Sequence, residues 1–371
     1  MENTHAGERN ANIELLRMLA MVMVIILHNL AGSGALYEQS GLLYHFYWWM
    51  EALAVCAVDV FVLISGYFLC CSKFRIQNVL RILAVVRAYS FPLSLLSALL
   101  SGNAVLTVSS LKMFFPVLTK KYWFVNAYLA LYLFSPFLNK LIRSLRKNQF
   151  AILLWMVIGL MILRPTLLPK AWAQDMTAGL SVFFFIALYF IAAWVRLYGK
   201  ERKASFLICM SAYLLLSLFL AGVKAGLMHL GISEDTASRY YSYDSAFVVL
   251  EALALFMAFL KARQPAEKKA HLINSAARYS FAAYIIHYAL NAVLWRNILH
   301  VDRFVGLFPA GPLMILLSSI AVFLACTGLE YLRSLLAKRL VHSPYIQRFR
   351  TWETQWAEKW NRRINSINLP S

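Results

Sequence analysis

Apolar runs of about 20 residues recur along the whole chain and restrict its fold to a helical membrane protein. The 371 residues are 61% hydrophobic, with a mean hydropathy of +0.62. A run of roughly 18 or more apolar residues can cross the hydrocarbon core of a bilayer as a helix. The sequence therefore predicts an all-α polytopic membrane protein with about ten transmembrane helices. The predicted spans are residues 13–31, 46–70, 79–100, 122–142, 150–168, 178–198, 204–224, 243–261, 275–299 and 309–335.

The net charge of +19 would suit a nucleic-acid-binding protein, but the basic residues are distributed as in a membrane protein. Most of the 36 lysines and arginines lie in alternate loops and in the C-terminal tail, and few lie in the loops between. Lysine and arginine are enriched in the cytoplasmic loops of membrane proteins. We therefore expect both termini in the cytoplasm, the lipid bilayer as a partner, and no nucleic-acid partner.

This topology predicts three parts of the chain. Residues 1–12 are a cytoplasmic N-terminus, 13–337 are the transmembrane domain, and 338–371 are a basic cytoplasmic tail. In the tail, Trp352, Trp356 and Trp360 recur every four residues among charged neighbours. That pattern is typical of an amphipathic helix on the inner membrane surface, and a solvated tail is the alternative. The five cysteines have neither CxxC nor metal-ligand spacing, so we expect no metal site.

The first predicted span contains ionisable residues, which are costly inside a bilayer and indicate function. The sequence IELLRMLAMVMVIILHNL is interrupted by Glu14, Arg17 and His28. Arg17 and His28 lie on nearly the same helix face, roughly 16 Å apart along the axis, and Glu14 can pair with Arg17. Because a neutral imidazole can take a proton from a hydroxyl, His28 is the first catalytic candidate. A packing histidine is the alternative.

The second span contains a carboxylate and a pair of small residues. Asp59 either orients His28, binds a substrate hydroxyl, or faces a water-filled vestibule without a direct role. Ser65 and Gly66 are small enough to let neighbouring helices approach closely.

Arginines follow at the start of the third span. Arg75 and Arg81 lie at or just inside the membrane edge, and Arg87 lies deeper. Arginine at such depth favours a phosphate partner, although ordinary topology charges explain the first of them equally well.

The fourth and ninth spans each carry polar and aromatic residues. Trp123 begins the fourth span, where it suits an aromatic belt at the membrane edge, and Asn126 and Tyr128 lie deeper and can donate hydrogen bonds to a ligand. The ninth span contains a polar stripe at i, i+3 and i+7, formed by Tyr284, His287 and Asn291. A stripe of this kind predicts a functional lining or a helix contact.

Together these segments resemble the acyltransferase-3 family of integral-membrane acyltransferases over residues 11–335. The strongest parts are the Arg17 and His28 pair, FVLISGYFL at 61–69, YWFVNAYLALYLFSPFLN at 122–139, and AYIIH at 283–287. The resemblance implies that His28 is the essential histidine of the family and Arg17 its basic partner. It also places Arg81 where the family has an arginine at the start of its third span.

Two motifs depart from the pattern of many relatives. A paired-arginine RxxR is reduced here to Asn78-Val79-Leu80-Arg81, which keeps one arginine. A WSLxxE segment has Tyr128 at the position of its glutamate. We also expect no SGNH-type extracytoplasmic domain, so that a second, soluble transfer step would need another protein.

The resemblance implies a membrane-bound O-acyltransferase of a bacterial cytoplasmic membrane. It would transfer an acyl group, usually acetyl, from cytoplasmic acyl-CoA to a hydroxyl of an envelope glycan or a lipid-linked sugar. We expect catalysis by His28, Arg17 and Asp59. We expect acetyl-CoA to be bound by Arg17, Arg75, Arg81, Ser65, Asn126 and Tyr128, and the acceptor by Tyr284, His287 and Trp123.

Two other classes of function fit the same residues less well. A transporter or flippase of an anionic or lipid-linked glycan also needs intramembrane Arg and His, but the chain has no visible inverted repeat. A sensory or scaffold domain predicts no acyl-CoA binding and tolerance of His28 substitution.

Overall fold

The computed structural model describes residues 10–100, 122–168, 179–199, 205–291, 298–340 and 344–366, and within these ranges the regular structure is entirely helical. The all-α prediction is therefore confirmed for this part of the chain. The main helices are α1 (Ala11–Gly32), α2 (Gly41–Val55), α3 (Ala57–Leu69), α4 (Ile76–Leu100), α5 (Trp123–Ser144), α6 (Lys147–Ile158), α7 (Arg164–Leu167), α8 (Val182–Tyr198), α9 (Phe206–His229), α10 (Glu234–Ala237), α11 (Ala246–Lys261), α12 (Glu267–Ala277), α13 (Ser280–Asn291), α14 (Ala310–Leu340) and α15 (Pro344–Asn365).

Six helical stretches of the described residues are long and apolar enough to cross a membrane. They are Ala11–Gly32, Gly41–Leu69, Lys147–Leu167, Phe206–His229, Glu234–Lys261 and Ala310–Ala337, and α8 is a shorter apolar helix. Each of the ten predicted spans overlaps helical structure where the structure describes it, but 46–70, 150–168 and 275–299 each contain more than one helix. Residues 178, 204 and 292–297 of those spans lie outside the described residues. The number ten and the cytoplasmic side of the termini stay predictions.

Helix α1 lies at the centre of the helical assembly. The Asn10 side chain caps its start by accepting a hydrogen bond from the Ile13 backbone N–H at 3.2 Å, which satisfies one of the free donors of a helix N-terminus. The helix packs against α2, α3, α11, α12, α13 and α14. Leu16, Ala20 and Ile25 are accordingly fully buried. Of the polar side chains on α1, Asn12, Glu14 and Asn29 are also buried among other helices.

The predicted span 46–70 consists of two helices, α2 and α3, which meet at Cys56. The break places Asp59 in the first turn of α3, where the helix dipole favours a negative charge. Hydropathy windows cannot detect such a break, because both helices are equally apolar.

Gly66 allows α3 and α8 to approach closely. A Cβ atom at this position would lie 3.0 Å from the Ala192 Cβ and 3.0 Å from the Tyr189 Cα. Both Tyr189 and Ala192 are fully buried. The close packing expected from Ser65 and Gly66 is therefore present, and it fixes the wall of the bundle that carries Ser65.

Candidate active site

The catalytic candidate His28 lies beside a second imidazole contributed by α13. The ring centroids of His28 and His287 are 5.0 Å apart and their planes are tilted by 30°. Tyr288 approaches the His28 ring edge-on at 6.3 Å. His287 is buried, whereas His28 and Tyr288 are exposed. The structure therefore brings together two of the residues singled out from the sequence and leaves the His28 ring accessible to a reactant.

The protonation of His287 follows from its hydrogen bonds. Its Nδ1 lies 2.9 Å from the carbonyl oxygen of Ala283, one helical turn earlier. Because a carbonyl oxygen only accepts, Nδ1 is the protonated nitrogen and Nε2 carries the lone pair. That Nε2 is buried and has no hydrogen-bond partner within the described part of the chain. The imidazole ring beside that of His287 belongs to His28.

A buried amide network holds α1, α13 and α14 together one residue beyond His28. Asn291 donates from Nδ2 to the Oδ1 of Asn29. Asn29 in turn donates from Nδ2 to the Ser319 hydroxyl at 2.8 Å. Hydrogen-bonded side chains of this kind join helices in membranes. The polar stripe of the ninth predicted span thus turns His287 and Asn291 towards α1.

Arg17 belongs to a separate cluster about three turns from His28 along α1. Its guanidinium forms an ion pair with Glu14 at 2.5 Å, and the Arg17 side chain stays 32% exposed. The Tyr128 side chain interacts with that of Ser65 and lies near Arg17. The structure therefore gathers three residues of the predicted acyl-CoA site, from α1, α3 and α5.

The start of α4 lies beside the same face of α5. The Tyr132 hydroxyl, one turn after Tyr128, accepts from the Arg75 backbone N–H at 3.2 Å and donates to the Arg75 carbonyl at 3.0 Å. Asn78 donates to the same hydroxyl at 2.9 Å. The side chains of Arg75 and Arg81 are exposed, so they remain available to a charged ligand.

The predicted acceptor residues Trp123 and Tyr284 are connected through Phe124. The rings of Trp123 and Phe124 are 6.0 Å apart, and those of Phe124 and Tyr284 are 5.4 Å apart. Trp123 stacks on Tyr243 at 5.7 Å, and Tyr284 lies 6.1 Å from His287. A chain of aromatic ring contacts, with the buried Phe124 at its centre, therefore extends from the start of α5 to the histidine pair. Asn126 is partly buried on the same helix, α5.

Asp59 lies apart from the histidine pair in a buried group of carboxyl side chains. Its carboxyl group is fully buried, and neither oxygen has a hydrogen-bond partner among the described residues. Its acidic neighbours are Asp244 and Glu251. No contact between Asp59 and His28 occurs in the part of the chain that the structure describes. The neighbours of Asp59 thus favour a role other than orienting His28.

Several residues of the site were not singled out from the sequence. Asn29 and Glu251 are polar residues within apolar spans, which was an available signal. Tyr288 carried no such signal, because an aromatic residue within an apolar run of this chain is ordinary. Within the described ranges, no three His, Cys, Asp or Glu side chains converge as metal ligands do.

Comparison with known proteins gives a family for the chain. The family model described as an acyltransferase domain matches residues 10–330. No curated protein and no solved structure matches the chain at a significant level. The match covers all the helices that carry the histidine pair and the Arg17 cluster. The chain belongs to the acyltransferase-3 family, which together with its apolar helices indicates a multi-pass membrane acyltransferase.

Proposed function

We propose that the protein transfers an acetyl group from cytoplasmic acetyl-CoA to a hydroxyl of a cell-envelope glycan or lipid-linked sugar in a bacterial cytoplasmic membrane. The observation that carries this proposal is the exposed His28 ring beside the buried Nε2 of His287, which has no hydrogen-bond partner among the described residues. A base held by a second group that fixes its orientation is the arrangement expected for acyl transfer.

In this reaction His28 acts as a general base. Its neutral imidazole takes the proton of the acceptor hydroxyl while the oxygen attacks the thioester carbonyl. The carbon–sulfur bond then breaks, the CoA sulfur leaves with the proton from His28, and an ester remains on the acceptor. Attack by His28 itself, through an acyl-imidazole, is the other route. Direct transfer requires one intermediate fewer, and we prefer it for that reason.

His287 supports the base by accepting a hydrogen bond. With its proton on Nδ1, its Nε2 can accept the N–H of His28 and leave the second nitrogen of His28 directed towards the substrate. This role differs from the contact with the acceptor expected from the sequence. The geometry favours it because the nearest ring to His287 is that of His28.

The acyl-CoA phosphates bind at Arg17, Arg75 and Arg81. Phosphates cannot enter hydrocarbon without cationic partners, and the guanidinium group matches their geometry. The roughly 16 Å between Arg17 and His28 along the helix axis is within reach of the pantetheine arm. Ser65 and Tyr128 line this path beside Arg17. Tyr128 and Asn126 are the candidate donors to the oxyanion.

The acceptor binds beside the partly buried rings of Trp123 and Tyr284, which the buried Phe124 connects. The Tyr284 ring lies 6.1 Å from the His287 ring, close to the base. Flat aromatic faces with polar tips suit a sugar ring, which has both apolar and hydroxyl-bearing sides.

Transport of an anionic or lipid-linked glycan is the second candidate. The specific observation in its favour is the buried pair Asp59 and Glu251, whose carboxylate oxygens have no hydrogen-bond partners among the described residues. Buried acidic groups inside a membrane are typical of proton-coupled translocation.

Acetyl-CoA binding by the purified protein distinguishes the two functions. We expect the wild type to bind, and Arg81→Ala to bind about 10- to 150-fold more weakly, because a hydrogen bond to a charged group contributes roughly 1.5–3 kcal/mol. Arg303→Ala is the matched control, since Arg303 is also exposed but lies in the turn Val301–Arg303. A folded wild type that does not bind acetyl-CoA would contradict the proposal and favour transport.

A further inference from the structure

The C-terminal helix α15 is bound to the first residues of α4 by two asparagine side chains. Asn361 Oδ1 accepts from the Ile76 backbone N–H at 2.8 Å, and Asn365 Oδ1 accepts from the Phe74 N–H at 3.2 Å. Asn365 also donates to the Phe74 carbonyl at 3.1 Å, and Asn361 donates to the Gln77 side chain at 2.8 Å. The two asparagines are one helical turn apart, so both act from one face of α15.

These contacts supply hydrogen-bond acceptors to the backbone N–H groups at the start of α4. The first N–H groups of a helix have no partner within the helix. Here the N–H groups of Phe74 and Ile76 donate to α15, and the N–H of Arg75 between them donates to Tyr132 of α5. The backbone of Arg75 is thus fixed on both sides, and Arg81 follows within the next two turns of α4.

A second face of α15 is exposed and aromatic. The tryptophan stripe of Trp352, Trp356 and Trp360 has exposed side chains whose neighbouring rings lie 6.5 and 5.9 Å apart. Ala357, between the last two of them, is fully buried against the protein. The helix therefore presents separate surfaces to the protein and to its surroundings.

The position of α15 along the chain indicates that its exposed aromatic face lies against lipid. Three residues separate α15 from α14, whose segment Ala310–Ala337 is apolar and long enough to span the membrane. A helix that starts so close to the end of a span lies at the membrane surface. Tryptophan prefers that interface, and basic residues beside it favour anionic headgroups.

We propose that α15 is a surface strap: its tryptophan stripe lies in the headgroup region, and Asn361 and Asn365 hold the start of α4. The strap keeps Arg75 and Arg81 in position for acyl-CoA, a function that rests on the acyl-CoA site proposed above. Asn361 and Asn365 are positioning residues, because they act through the backbone of α4.

Hydrogen exchange of the full-length protein in phosphatidylglycerol and phosphatidylethanolamine nanodiscs tests the strap directly. In Asn361→Ala/Asn365→Ala, we expect the amides of Phe74 and Ile76 to exchange faster at single-residue resolution. Gln355→Ala is the matched exposed amide variant and should exchange as the wild type does. Asn361→Asp/Asn365→Asp keeps the accepting oxygens and should restore slow exchange. Unchanged exchange in the alanine variant would overturn the strap.

A separate variant tests the contact of α15 with lipid. Replacing Trp352, Trp356 and Trp360 by alanine keeps both asparagines but removes the surface anchor. We expect faster exchange of Phe74 and Ile76 in the same nanodiscs. Wild-type exchange in this variant would overturn the lipid contact.

Acetyl-CoA binding tests the link to the active site. We expect the double alanine variant to bind about three- to tenfold more weakly, as for the loss of one or two hydrogen bonds, with an unchanged rate of hydrolysis at saturation. If the amides of Phe74 and Ile76 exchange faster in the double alanine variant but its acetyl-CoA affinity is unchanged, the positioning role is overturned. A wild type that binds no acetyl-CoA would refute the proposed function, and the exchange result would still decide whether α15 holds α4.

Discussion

At the scale of single residues, the reaction depends on which nitrogen of each histidine carries a proton. The contact of His287 Nδ1 with the Ala283 carbonyl fixes the tautomer of one ring, and the proposed hydrogen bond from His28 to His287 Nε2 would fix that of the other. This dependence cannot be read from the sequence, because it requires α1 and α13 to be neighbours. The sequence identified both histidines as polar residues in apolar spans, but it did not pair them.

The role of His287 leads to a prediction about turnover. His287→Ala removes the Nε2 that we propose accepts the N–H of His28, while the His28 ring itself stays in place. We expect acetyl-CoA hydrolysis to slow by about fivefold, since a hydrogen bond of about 1 kcal/mol corresponds to roughly that factor in rate. The affinity for acetyl-CoA should not change.

His287→Gln offers an amide oxygen as the acceptor and should regain part of this activity. Equal loss of turnover in the alanine and glutamine variants would contradict the hydrogen-bonding role. Loss of acetyl-CoA affinity alone would instead assign His287 to substrate binding. Turnover and affinity are measured on the same purified samples.

At the scale of helices, contacts between elements decide where the site residues lie. The close approach of α3 and α8 at Gly66 sets the position of Ser65, and the amide network of Asn29 and Asn291 joins α1 to α13. Small residues and buried amides are the two means by which helices associate in membranes. Both signals were visible in the sequence, but their partners were not.

Gly66 gives the prediction at this scale. In Gly66→Ala, the new Cβ would lie 3.0 Å from the backbone Cα of Tyr189, which cannot move aside as a flexible side chain would. Overpacking of this kind costs about 1–3 kcal/mol, so we expect a lower Tm in detergent. Gly222→Ala on α9 is the matched control, because nothing lies within 4 Å of a Cβ there.

Alanine favours a helix over glycine by about 1 kcal/mol, so the Gly222→Ala control should be as stable as the wild type or more so. A Gly66→Ala protein with the same Tm as that control would contradict the close α3–α8 contact. Thermal unfolding followed by circular dichroism makes the comparison.

At the scale of the whole molecule, the sequence predicted the helical segments and the family well. Runs such as 13–31 and 309–335 appear as α1 and α14, because a span must satisfy all its backbone hydrogen bonds internally. Hydropathy reports the length of a helix but not its neighbours. Only the structure shows the break at Cys56, the cluster of carboxyl side chains around Asp59, and the contact of α15 with α4.

The central claim concerns His28, and the release of CoA from acetyl-CoA tests it most directly. The proteins compared are the wild type, His28→Ala and His271→Ala, where His271 is an exposed histidine on α12. We predict that His28→Ala binds acetyl-CoA as tightly as the wild type but turns it over about 10² to 10⁴ times more slowly, the range expected for a lost general base. His271→Ala should behave as the wild type. Turnover by His28→Ala at the wild-type rate would contradict the account.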